Sequence, residues 1–129
     1  MSIIKSSFRS GPFKDYYAHA VRVDNTLYLA GQVGMDASGA IGADIVAQTD
    51  LAYRNIQAVL AKFDATMENV VDETWFVTDV SEVMANAEAI FSARAALYGG
   101  IPEVSQTLVQ VSALIFPDLK IEIKCIAHL

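Results

Sequence analysis

Cysteine occurs once in this chain, at Cys125. A single thiol cannot close an internal disulfide, and Cys125 on the apolar side of a strand reads as a small core residue rather than a reactive thiol. Charge is sparse as well. Asp, Glu, Lys and Arg make up 19% of the 129 residues, and the nine Lys and Arg form no basic block. With a net charge of −6 and an isoelectric point near 4.7, the chain lacks the cationic footprint that neutralising phosphates requires, which sets nucleic acid aside as a primary partner. No apolar run approaches the roughly 20 residues that span a membrane. The stretch MSIIKSSFRSGPF has no apolar core of the kind a secretory leader carries, so the expectation is a soluble, cytoplasmic protein. Gly-rich phosphate loops, a GxSxG elbow and CxxC pairs are missing too. His19 and His128 sit far apart without metal-ligand spacing, so no metal is expected.

What is abundant is apolar: 53% of the residues. A chain of this size is expected to be a single domain, residues 1–129, and a small domain has more surface than polar residues of this number cover comfortably. The surplus points to a subunit interface and hence to a homo-oligomer.

Residues 1–15 read as an irregular arm, with a short strand at Ile3-Ile4. From Tyr17 the chain alternates: Tyr17, His19, Val21 and Val23 share one side, Ala18, Ala20 and Arg22 the other. Asp24-Asn25 tolerates positive φ and predicts a tight hairpin into TLYLAGQ. Gly31 and Gly34 flank Gln32-Val33, where that strand ends or bulges. A first helix is predicted from Asp44 to Phe63, with Ala52, Ile56, Val59, Leu60 and Phe63 as its buried stripe. Val71 to Thr78 is the next strand, with Trp75 and Val77 on one face. A second helix follows Asp79 or Ser81 and runs to Tyr98, where Gly99-Gly100 stops it. Glu88 and Arg94 lie on it. Arg94 borders the apolar stripe, and an arginine there is either a side chain reaching for the rim or a ligand for substrate.

The segment from Ser105 to His128 is the most legible. Leu119, Ile121, Ile123 and Cys125 point one way, and Lys120, Glu122 and Lys124 the other, which is the alternation of a half-buried strand. Before it, Gln106, Leu108 and Gln110 share a face opposite Thr107, Val109 and Val111. An antiparallel hairpin through Pro117 would bring Glu122 near Gln106, Thr107 and Leu108. That cluster is either a site or the wet face of an ordinary hairpin. Tyr16, Tyr17, Phe13 and Phe116 could line an aromatic pocket. The element order β-β-α-β-α-β-β predicts a two-layer α+β domain, two helices covering one face of a mixed sheet and the other face left for the oligomer contact.

Taken together, LYLAGQVG, IVAQTDLAYRNIQAVLAKFDA, VVDETWFVTDV and VQVSALIFPDLKIEIKCIA resemble the Rid proteins (reactive intermediate deaminases, or YjgF-like), in order and spacing from about Tyr17 to Ala127. The resemblance implies a chorismate-mutase-like fold assembled as a homotrimer, with small-molecule ligands in clefts between subunits. It also implies hydrolysis of enamines and imines to 2-oxo acids and ammonia without metal or cofactor. The family's active-site tyrosine falls on Tyr17 and its acidic residue of the last strand on Glu122, the two expected catalytic residues. Its polar second-helix position falls on Glu88, its backbone or hydroxyl contact on Thr107 and its neighbouring small thiol on Leu108. Gly31, Phe116 and Arg94 complete the expected substrate contacts. Gln106 falls where deaminase members have arginine, and a neutral amide forfeits the bidentate, charged grip on a carboxylate. The expected function is therefore an enamine or imine deaminase of altered substrate range. The alternative is a metabolite-binding trimer that has lost the activity.

Overall fold

The computed structural model describes residues 2–129. Its strands are β1 (Ser6–Phe8), β2 (Ala20–Val23), β3 (Thr26–Leu29), β4 (Gln32–Val33), β5 (Val70–Val77), β6 (Ser105–Gln110) and β7 (Ile121–His128). The helices are α1 (Ile45–Ala61), α2 (Val80–Ala85) and α3 (Ala87–Tyr98), and a single 3-10 turn at Met67–Asn69 precedes β5. The sheet runs β1-β2-β3-β7-β5-β6, with β4 continuing the β3 side of β7. This is the expected α+β arrangement, one mixed sheet with helices on one face.

Local signals act as read. Asp24 takes φ 51° in the β2–β3 turn. The Asp44 side chain accepts from the Ala47 N–H at 2.8 Å and starts α1, while Gly99 ends α3 at φ 80°. The α1 stripe of Ala52, Tyr53, Ile56, Val59 and Leu60 lies in one core with Ile121, Ile123 and Cys125 of β7. Each fully buried Leu or Ile there contributes about 1.5–3 kcal/mol. Glu122, Lys124, Ile126 and His128 escape that burial because they point to the face no helix covers.

Three expectations are corrected. The arm does form a strand, but at Ser6–Phe8 rather than Ile3-Ile4, where it pairs with β2 from Ser6↔Arg22 to Phe8↔Ala20. The second helix is two: at Asn86 (φ −114°, ψ 16°) the chain leaves helical geometry, and the Asn86 amide donates to Glu82 O at 2.9 Å. An Asn side chain competes in this way for helix carbonyls. Finally, β6 and β7 do not form a hairpin. The helical crossover after β5 returns β6 parallel to β5, from Asp72↔Ser105 to Val77↔Gln110, and β7 pairs antiparallel with the other edge of β5. Residues 111–120 then bridge over the end of β5, a span no tight turn needs.

Candidate functional site

A β-bulge organises the main cleft. Tyr28 pairs with Ile126, yet Gln32 pairs with Ile123, so one extra residue lies on the Ala30-Gly31 side of β7. Gly31 leaves room for the Glu122 side chain: a Cβ at this position would come within 2.7 Å of Glu122 Cδ and push that side chain aside. The Glu122 carboxylate therefore lies flat against backbone. Burial raises its pKa above the ordinary Glu value, and the nearby Lys124 charge only partly offsets this. Lys124 does not pair with it, because its ammonium donates to Leu29 O at 2.8 Å. From α1, the Asn55 amide donates to Val33 O and Met35 O, both at 2.9 Å, and ties down the strand beyond the bulge.

Glu122 and Gly31 form part of a cleft of about 670 Å3 whose walls also include Tyr17, His19, Lys62 and Phe116. One wall is a ladder of rings. Phe13 and Tyr17 stack with centroids 6.3 Å apart, Tyr17 and His19 at 5.6 Å, and Phe8 meets His19 edge-on at 5.9 Å. Such arrangements offer a flat, polarisable surface to a planar ligand.

A second polar cluster lies behind the sheet, among the helices. Glu73 is wholly buried and its carboxylate accepts four hydrogen bonds. They come from Arg94 Nε at 2.6 Å, Gln106 Nε2 at 2.8 Å, Tyr53 OH at 2.9 Å and Tyr98 OH at 2.7 Å. Trp75 Nε1 donates in turn to Tyr53 OH at 3.2 Å. Burial and the Glu73 charge both push the two phenols up. Burial pulls the Arg94 guanidinium down, but Glu73 more than reverses this. The result is a paired, saturated buried charge, which is how a carboxylate survives in a core.

The sequence-derived site residues thus divide. Tyr17, Gly31, Phe116 and Glu122 share the cleft. Gln106 and Arg94 do not; they hold Glu73 on the helix side. Leu108 packs against the core on that same side. Thr107 faces the open side of the sheet, level with Thr74 and Lys124, and Glu88 is exposed on the first turn of α3. The carboxylate nearest Gln106 is accordingly Glu73, not Glu122. Sequence reasoning passed over Glu73 although it shares strand parity with Trp75 and Val77. It also passed over His19 and Lys62 as cleft residues, because only the fold brings them to one wall.

The family model described as endoribonuclease L-PSP matches residues 10–129. The RutC family protein YjgH of Escherichia coli is 32% identical over 113 residues, 88% of this chain and 82% of that protein. A mouse protein named 2-iminobutanoate/2-iminopropanoate deaminase is 31% identical over 84 residues, 64% of this chain and 59% of that one. Among solved structures, Rv2704 of Mycobacterium tuberculosis, a member of the YjgF/YER057c/UK114 family, superposes with a TM-score of 0.81 at 31% identity, over 98% of this chain and 100% of its own. With a family match along nearly all of its length and a fold shared end to end, this chain belongs to the Rid (YjgF-like) family, the one described as endoribonuclease L-PSP.

Proposed function

We propose that the protein is an oligomeric hydrolase of small enamines and imines, acting in clefts completed by neighbouring subunits. Glu122 carries this reading: a half-buried carboxylate, held above its ordinary pKa by burial, pressed on Gly31 and facing a roomy cleft beside Tyr17. A carboxylate so placed is suited to take a proton from water. Glu122 accepts one proton as the water oxygen bonds to the C=N carbon. The π electrons pass to nitrogen, which takes that proton from the Glu122 carboxyl. The carbinolamine then gives its O–H proton to Glu122, the C=O forms, the C–N bond breaks, and the departing nitrogen takes the proton. Imine and water become carbonyl compound and ammonia, with no need of a cofactor or metal. Tyr17 positions the substrate.

The names of the mouse and goat relatives, both 2-iminobutanoate/2-iminopropanoate deaminase, support the reaction class. The uncovered sheet face supports assembly with further copies of the chain, since Tyr28 and Val109 are exposed there and Phe76 and Ile126 are half-buried; the family resemblance makes that assembly a homotrimer. Thr107 and Glu88 are absent from the cleft of their own chain, so on this reading they would serve the cleft of a neighbour. Among the described residues no helix is long and apolar enough to cross a membrane. RNA cleavage, suggested by the family description, is disfavoured by the net charge of −6 and by a cleft with one lysine and no arginine in its wall.

A second reading is a metabolite-binding protein without chemistry. It is favoured by one observation: Gln106 and Arg94 are both committed to Glu73, so neither offers itself to a ligand in the cleft. One assay separates the two. Imino acids are generated with an amino-acid oxidase and trapped with semicarbazide. The hydrolase reading expects the protein to lower the semicarbazone yield and Glu122→Gln to lose that effect. An inert wild type whose melting temperature still rises with 2-oxo acids supports the binding reading.

A further inference from the structure

His19 is the least explained residue in the cleft. Its backbone is clamped on both sides: the N–H donates to Phe8 O at 2.7 Å, and the C=O accepts from the Ala30 N–H at 2.8 Å. The imidazole is thereby set between Tyr17 and Phe8, one residue across the bulge from Gly31 and the Glu122 carboxylate. Its Nδ1 is sealed from solvent and has no hydrogen-bond partner among the described residues. Buried polar atoms are nearly always paired, so an exception calls for a reason. A sealed nitrogen is least badly left as a bare lone pair, which puts the ring N–H on Nε2. The ladder then tolerates the unpaired Nδ1 in return for holding that N–H in one direction.

Lys62 meets the same Phe8 ring and lines the same cleft. It caps the C-terminus of α1, and its ammonium lies 5.5 Å from the centroid of the Phe8 ring that abuts His19. It is the one Lys or Arg in the cleft wall, and no carboxylate pairs with it among the described residues. On the reading that the Glu122 cleft is the ligand site, we propose that Lys62 and the Nε2–H of His19 form its anion-recognition corner. The ligand is a small planar carboxylate. Its charge docks at this corner, its flat face lies on the ring ladder, and its reacting carbon is turned toward Glu122. The arrangement supplies within one subunit the charge that Gln106 lacks.

Calorimetric titration of the intact protein with 2-oxobutanoate and with its neutral amide tests this. The acid is expected to bind roughly tenfold or more tightly than the amide, since charge-assisted hydrogen bonds exceed neutral ones by about that factor. Lys62→Gln is expected to remove the preference and Lys62→Arg to keep it. His19→Phe preserves the ring ladder and removes Nε2–H, so affinity should fall several-fold with no drop in melting temperature, and His19→Gln should recover part of it. In the imine assay Lys62→Gln should raise KM and leave kcat nearly unchanged. Equal binding of acid and amide, binding of neither, or acid binding untouched by Lys62→Gln and His19→Phe overturns the proposal. Gly31→Ala and Glu122→Gln report on the underlying reading. If Gly31→Ala impairs binding or Glu122→Gln impairs turnover while Lys62→Gln and His19→Phe do nothing, only the recognition corner fails. If Gly31→Ala leaves binding and Glu122→Gln leaves turnover intact, the cleft itself is not the site.

Discussion

Gln106 donates to Glu73 across the parallel β5–β6 pair at 2.8 Å, the two residues being direct register partners. That bond determines what Gln106 does. Its amide completes the shell of a buried carboxylate that also holds Arg94, Tyr53 and Tyr98. The shell pins α1, α3, β5 and β6 to one another, so Gln106 serves the packing of the fold and not the cleft.

Removing Glu73 should therefore be costly. Glu73→Ala strands the Arg94 charge and two phenols in a closed space, and breaking a buried pair from one side costs about 3–5 kcal/mol. Denaturant titration should show the midpoint falling with little change in slope. Replacing Glu73 and Arg94 together with Leu and Met should recover much of the loss, because no unpaired charge then remains. A Glu73→Ala protein as stable as wild type would show that the shell does not hold the helices.

Glu122 should act in the opposite sense. Burial raises its folded-state pKa above the ordinary value of 4.5. Between those two values the folded state binds more protons than the unfolded one, so stability falls as pH rises through that window. Glu122→Gln removes the dependence. The melting temperature of wild type minus that of the variant should decline from acid pH upward across the window and level off above it. On the hydrolase reading, turnover should rise with pH over the same range.

Gly31→Ala should disturb Glu122 before it disturbs the fold, since the new methyl meets the Glu122 side chain first. Turnover or ligand binding should fall more steeply than melting temperature. Adding Glu122→Ala should relieve the strain, and a double-mutant cycle should show stabilising coupling between the two changes. Additive effects would mean that the bulge backbone moves instead.

Cys125 should be inert in the native protein. It is wholly buried, and burial, reinforced by Glu73 and Asp72, pushes the thiol up. Little thiolate exists to react. A chromogenic disulfide should label it only after denaturant is added, and rapid native labelling would contradict the placement of β7.

The uncovered face should control assembly. Val109→Glu places a charge on it beside Phe76. Sedimentation velocity should show the oligomer shifting toward monomer, with far-UV dichroism retained. An unchanged sedimentation coefficient would put the subunit contact elsewhere.

Much of this protein is determined by its sequence alone, wherever the cause is local. Asp44 and Gly99 bound their helices through cap chemistry, Asp24 makes its turn through a tolerated positive φ, and the alternation of β7 separates Ile121, Ile123 and Cys125 from Glu122 and Lys124. Tyr17, Gly31, Phe116 and Glu122 are singled out by resemblance to a family, and they share the cleft, although only Glu122 lies in a strand. What the tertiary structure decided is which strands are neighbours. Parity tells which face a side chain takes but not who stands beside it. The α2–α3 crossover places β6 beside β5 rather than β7, and this gives Gln106 to Glu73 instead of Glu122. The same long-range packing carries Lys62 from the end of α1 to the Phe8–His19 wall, a meeting of distant segments that no local pattern encodes.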